Sequence, residues 1–274
     1  MTAIAMHSTP RWTDVAVEQI RAAGLRLRAV GVILLGTIML FGGIAIRVSM
    51  NYQHSNATHP PRGAPAFGFA PEVSSLLMYL ALILPAALWH EETPSRRMYH
   101  SSMPIERSTH ALTKALAGWT WAMLGTFVFV LFVVVIDAIT RNIVGASGPL
   151  FQGIEPWEWL VPFTSVTIAY MLSSAAAIGA ETPAVWVVGP PVIYAGVAIV
   201  LAMLNLPHVS ESMLKLFSGY YGAAAALGGQ VHGVDALGHA LGPSAGRWLG
   251  ATAIWGTGAA AILVLVSKRR RDVK

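Results

Sequence analysis

The chain has 274 residues, of which 18 are Lys or Arg and 13 are Asp or Glu, giving a formal net charge of +5. Charged residues make up 11% and hydrophobic residues 55%, against roughly 25% charged in an ordinary soluble domain. So few charges cannot clothe a soluble fold of this size, and so much apolar content excludes a disordered chain.

With a mean hydropathy of +0.59, the composition predicts an all-α, polytopic integral membrane protein forming a single transmembrane domain over residues 1–274. The absence of cysteine removes disulfides, thiolate metal sites and cysteine catalysis. A spanning helix needs roughly 20 mostly apolar residues to cross about 30 Å at 1.5 Å per residue. The charged residues cut the chain into pieces of that length.

Residues 11–28 come first. Arg11, Asp14, Glu18 and Arg21 fall on one helical face, with Trp12, Val15 or Ala16, Ile20 and Ala23 on another. That pattern predicts a helix lying in the membrane interface. Span one, 29–46, lies between Arg28 and Arg47 and is thinned by Gly36, Gly42 and Gly43. Because 28 residues precede this 18-residue apolar core, a cleavable secretory signal is not expected. Span two, 73–89, is the shortest, with 17 residues.

Residues 90–118 carry seven formal charges and three histidines in a chain otherwise poor in both. Pro94-Ser95 can start a short helix, Pro104 should end it, and the stretch from Ile105 can run into span three. Glu92 can support Arg96, and Glu106 sits beside Arg107. Paired acids, prolines and a helix-turn-helix pattern suit a docking surface better than a loop kept inside by its arginines alone.

Span three is 115–136, followed by Asp137, which can pair with Arg141 four residues on. Span four is 159–180. Glu181-Thr182-Pro183 then forms a tight turn, with Thr182 as cap and Pro183 at the first helical position. Span five, 183–206, contains Gly189-Pro190-Pro191, which should kink it near its start. In the outer loop 208–247, residues 216–234 carry no charge but hold five glycines. They predict a re-entrant or interfacial helical segment, tolerated at depth only if covered by protein. Span six is 248–267, with small residues at Thr252, Gly256 and Ala260 that favour close helix approach within or between chains.

Charge placement supports six spans with both termini in the cytoplasm. Arg11, Arg21, Arg26, Arg28, Arg96, Arg97, Arg107, Lys114, Lys268, Arg269, Arg270, Arg271 and Lys274 then lie inside, 13 of the 18 basic residues. Only Arg47, Arg62, Arg141, Lys215 and Arg247 lie outside, a strong positive-inside bias. Trp89, Trp119, Trp121, Trp157, Trp159 and Trp248 fall at span ends, where an amphipathic indole suits the interface, and Trp255 is deeper and expected to pack on another helix.

Catalytic signatures do not appear. None of the four lysines follows a glycine, so there is no phosphate loop. His90-Glu91-Glu92-Thr93-Pro94 has proline where a zinc-protease motif needs its second histidine. His90, His100 and His110 are ten residues apart, which does not place them on one helical face. No ionisable residue lies near the middle of a span, which argues against a proton-coupled path.

The segment after span two resembles the coupling region of permease subunits in the second type of ATP-binding-cassette exporters. Those permeases show an acidic residue after span two, then a step of proline, a small or hydrophobic residue, an acidic residue or serine, and arginine, then a lysine entering span three. The matching residues here are Glu91 or Glu92, Pro104-Ile105-Glu106-Arg107, and Lys114. The six spans, the N-terminal interfacial helix and the inserted segment before the last span are also similar to that architecture.

The resemblance implies a permease that pairs with a second permease subunit in the bacterial inner membrane, as a homodimer or heterodimer. Its coupling loop, 90–114, and N-terminal helix would rest on a cytoplasmic nucleotide-binding ATPase subunit. Glu91, Glu92, Arg96, Arg97, Pro104, Glu106 and Arg107 would transmit motion without catalysing. ATP would be bound by the partner and not by this chain, which would carry no cofactor, metal or catalytic site and would contact lipid but no nucleic acid. Two other readings share the spans: a non-catalytic anchor or assembly subunit of a multi-subunit membrane complex, and a membrane enzyme or secondary carrier.

Overall fold

The computed structural model describes residues 12–55, 71–89, 107–144, 155–180, 197, 200, 221–223, 226, 233–234, 240–241 and 244–269. These form α1 (Trp12–Arg26), α2 (Arg28–Ser55), α3 (Pro71–Trp89), α4 (Arg107–Val144), a 3-10 turn (Pro156–Leu160), α5 (Val161–Gly179) and α6 (Ala245–Arg269). A two-residue antiparallel pair, β1 (Gly233–Val234) with β2 (Ala240–Leu241), is the one departure from helix among the described elements.

The chain is a polytopic, mostly helical membrane protein. Ser108–Ile143, Pro156–Gly179 and Ala245–Arg269 are each long and apolar enough to cross a bilayer. Asp14–Arg26 and Gly31–Ile44 meet at 58° and together make a fourth candidate. In α3, Leu80–Trp89 is a shorter apolar stretch. Of span five, only Val197 and Val200 are described, and both are helical. The Glu181-Thr182-Pro183 turn and Gly189-Pro190-Pro191 lie outside the described residues.

The bend between α1 and α2 falls at Leu27. Its N–H still donates to Ala23 O at 2.9 Å, and Gly31 N–H donates to Leu27 O at 2.8 Å, so the backbone ladder survives the change of direction. The polar face predicted for α1 is exposed at Asp14, Glu18 and Arg21, while Ala23 and Leu27 are buried. Protein covers that apolar face: Ala23 and Leu27 pack with Leu88, Trp89 and Ala117.

Lipid tails are as apolar as leucine, so the bundle gains cohesion from close packing and from hydrogen bonds across helices. Tyr170 is fully buried and its hydroxyl donates to Ala115 O at 2.9 Å, joining α5 to α4. Trp119 Nε1 donates to Thr167 Oγ1 at 3.1 Å between the same helices. Pro85 lies inside α3 and cannot donate to the carbonyl four residues back. One carbonyl along from that gap, the Ser173 hydroxyl of α5 donates to Leu82 O and ties α5 to α3 beside the proline. Gly118 makes the α3–α4–α5 junction possible, since a Cβ there would meet both the Tyr170 hydroxyl and Leu88.

Helix directions follow from contacts at the two ends. Trp157 and Trp248 pack together at 5.4 Å between ring centroids just before α5 and near the start of α6. At the other end Gly179 approaches Val266, where a Cβ would lie 2.7 Å from Val266 Cγ1. Helices α5 and α6 therefore run parallel, and the intervening chain must return to the end at which α5 began. Helix α3 ends, and α4 begins, beside the close of α5: Leu88, Ala111, Ala177 and Ile178 share one buried cluster.

Of the ten basic residues with described positions, Arg21, Arg26, Arg28, Arg107, Lys114, Lys268 and Arg269 lie at this end, and Arg47, Arg141 and Arg247 at the other. We call it the basic end. Near the opposite end, described residues of the segment before α6 press into the bundle. Ala226 is fully buried with Ile168, Ala251 and Ala259, and Tyr221 O accepts from Trp255 Nε1 at 3.1 Å.

Candidate functional site

The charged segment after α3 is rooted in a small set of contacts at the basic end. Trp89, the last residue of α3, is buried, and Lys114 Nζ from the second turn of α4 lies 4.2 Å from its ring centroid. An ammonium over an indole face gains from the ring quadrupole, more so when partly desolvated. Lys114 is only 4% exposed, so its alkyl stem packs as part of the core while its charge rests on the ring. The two helices that bracket residues 90–106 are thereby joined close to their ends.

Helix α1 is fastened to the same place. Trp121 Nε1 donates to Ile20 O at 2.9 Å, and Arg26 Nη1 donates to Leu88 O at 3.4 Å. Gly24 lets α1 lie close against α4, since a Cβ there would sit 2.5 Å from the Trp121 ring. Leu88 O is in the last turn of α3, where a helix leaves carbonyls without intrahelical partners, so Arg26 also caps α3. Three elements distant in sequence thus meet on one face.

Of the residues read as a coupling interface, Glu91, Glu92, Arg96, Arg97, Pro104 and Glu106 lie outside the described residues. Arg107 is the first residue of α4. From there the helix continues without a break through 38 residues, about 57 Å at 1.5 Å per residue. Such a helix exceeds the roughly 30 Å hydrocarbon core, and part of it must project beyond.

Sequence pattern marks Lys114 as the lysine entering span three and Trp89 as a span-end tryptophan, but it shows neither their stacking nor the part played by Arg26 and Gly24. A glycine on the apolar face of an amphipathic helix was the one available signal. The tryptophans expected at interfaces do more than anchor: Trp89 and Trp248 are buried, and Trp119 and Trp121 bond across helices. At the opposite end Asp137 accepts from Arg141 Nε at 2.9 Å, as the four-residue spacing predicts. Among the described residues no group of three or more His, Asp or Glu is placed to hold a metal. Comparison with protein-family models, curated proteins and solved structures gives no match to this chain.

Proposed function

We propose that this chain is the permease subunit of an ATP-binding-cassette transporter, forming the membrane pathway and driven by a separate cytoplasmic ATPase. The observation that carries the reading is the fastening at the basic end. The charged segment 90–106 leaves from Trp89 and returns at Arg107, and both roots are tied to each other and to α1. A partner pressing on that segment would move α3, α4 and α1 together, and α4 offers a single stiff rod into the membrane. An anchor subunit has no need of a charged, two-root surface of this kind.

In this reading α2, α3, α4 and α5 are spans one to four, residues 183–206 are span five and α6 is span six. The parallel run of α5 and α6 supports it, because an odd number of crossings must separate them. One crossing at 183–206 meets that need with 216–234 inserted but not spanning. The surplus of Lys and Arg at the basic end supports a cytoplasmic position for it. Nucleotide chemistry belongs to the partner, which carries the phosphate loop this sequence lacks. The permease works with a second permease subunit.

The test is association. Purification from native membrane should bring down an ATPase, and reversing Arg96, Arg97 and Arg107 to glutamate should weaken that association, as at any charge-complementary interface. Unchanged co-purification and unchanged ATPase activity after all three reversals would sink the docking assignment.

A further inference from the structure

A cavity of about 670 Å³ opens on the flank of the bundle between α2 and α3, with α4 as its floor. That is within the roughly 300–1,000 Å³ range of small-molecule sites. Its walls are apolar: Leu34 and Ile38 of α2 face Leu77 and Leu84 of α3 across Gly125 and Val128 of α4. At the basic end two arginines, Arg21 and Arg28, stand at its mouth, and no acidic residue lines it among the described residues. Arg21 is shared with Glu18 at 3.3 Å, an exposed pair. Arg28 is exposed and has no described partner of its own.

The depth identifies the occupant. From Arg28 to Ile38 is ten residues of α2, about 15 Å along the axis. That is half of the roughly 30 Å hydrocarbon core, the thickness of one leaflet. A partner helix would need the full thickness, whereas one acyl chain needs half. Charge complementarity supplies the rest, since a cationic mouth at headgroup depth suits an anionic phosphate.

We propose that this groove holds one acyl chain of an anionic phospholipid from the leaflet at the basic end, its phosphate held by Arg28 and secondarily by Arg21. The assignment depends on membrane embedding and not on the transporter reading.

The test is native mass spectrometry of the full chain in a neutral detergent, titrated with dioleoyl phosphatidylglycerol, dioleoyl phosphatidylcholine or soluble glycerophosphate. Phosphatidylglycerol should bind about fivefold tighter than phosphatidylcholine, and Arg28→Gln should remove that preference. Arg21→Gln should have a smaller effect because of Glu18. Glycerophosphate alone should neither bind nor compete. Among the described residues Gly31 has nothing within 4 Å of a built Cβ, and Gly125 meets only Leu34 Cδ2 at 3.8 Å. Gly31→Leu with Gly125→Leu should therefore fill the groove and abolish both lipid adducts, while the higher helix propensity of leucine preserves helical content by circular dichroism.

Equal binding of the two lipids, a preference that survives Arg28→Gln, or competition by free glycerophosphate would overturn the assignment. So would lipid adducts unchanged in the filled variant. Loss of a protein dimer in place of a lipid adduct would show a second copy as the occupant and overturn it equally.

Discussion

Asp137 is 1% exposed, and one of its oxygens accepts from Arg141 while Oδ1 accepts nothing among the described residues. A buried pair adds little net stability, but removing one member strands the other charge. Arg141→Leu should therefore destabilise the chain by about 3 kcal/mol in detergent unfolding, and adding Asp137→Asn to it should recover most of the loss. Tyr170 makes a smaller contribution. Tyr170→Phe keeps the packed ring and deletes the hydroxyl that bonds Ala115 O, so the same measurement should show a loss of about 0.6–1.7 kcal/mol. The Asp137–Arg141 pair was legible from spacing, because a helix brings residues four apart together whatever surrounds it. The Tyr170 bond was not, since it joins positions 55 residues apart.

At the scale of elements, helix α1 shows what periodicity can and cannot reveal. Its two faces were readable: Asp14, Glu18 and Arg21 are exposed, Val15, Ala16 and Ile20 are partly covered, and Ala23 is buried. The covering surface was not, because an apolar stripe is equally satisfied by lipid, by headgroups or by protein. Packing with α3 and α4 decides it through Gly24 and Trp121. Gly24→Val should force the Trp121 ring aside and free α1 from α4. Amide hydrogen exchange should rise across 12–26 and stay unchanged in the core of α5, whereas equal exchange in α1 would count against this docking. Glycines in the spans divide in the same way. Gly42 lies close to Phe132, while Gly36, Gly43 and Gly256 have no neighbour within 4 Å of a built Cβ among the described residues. In span six a close approach is at Gly250, where a Cβ would lie 2.6 Å from the Tyr221 ring.

For the whole molecule the decisive relation is the parallel pairing of α5 with α6. In the proposed topology α5 and α6 are both spans, so an odd number of crossings separates them, and the proposed fifth span at 183–206 supplies one. The chain has no cysteine, so single cysteines can report topology against a clean background. Cysteines at His100 and Lys274 should be labelled by an impermeant reagent only from the cytoplasmic side, and those at Pro60 and Leu150 only from the other. Opposite sides for His100 and Lys274 would refute the six-span map.

The opening shortage of charge determined, unaided, that this protein lives in a bilayer. Where the 31 charged residues fall also marked most helix ends, because an ion is costly in hydrocarbon and settles at its edge. Tertiary structure alone decided that Lys114 turns back onto Trp89, that Arg26 caps α3, and that a leaflet-deep groove opens beside α4. Those outcomes depend on contacts between residues far apart in the chain. Hydropathy and helical period are local quantities, and every apolar face looks alike to them until its partner is in place.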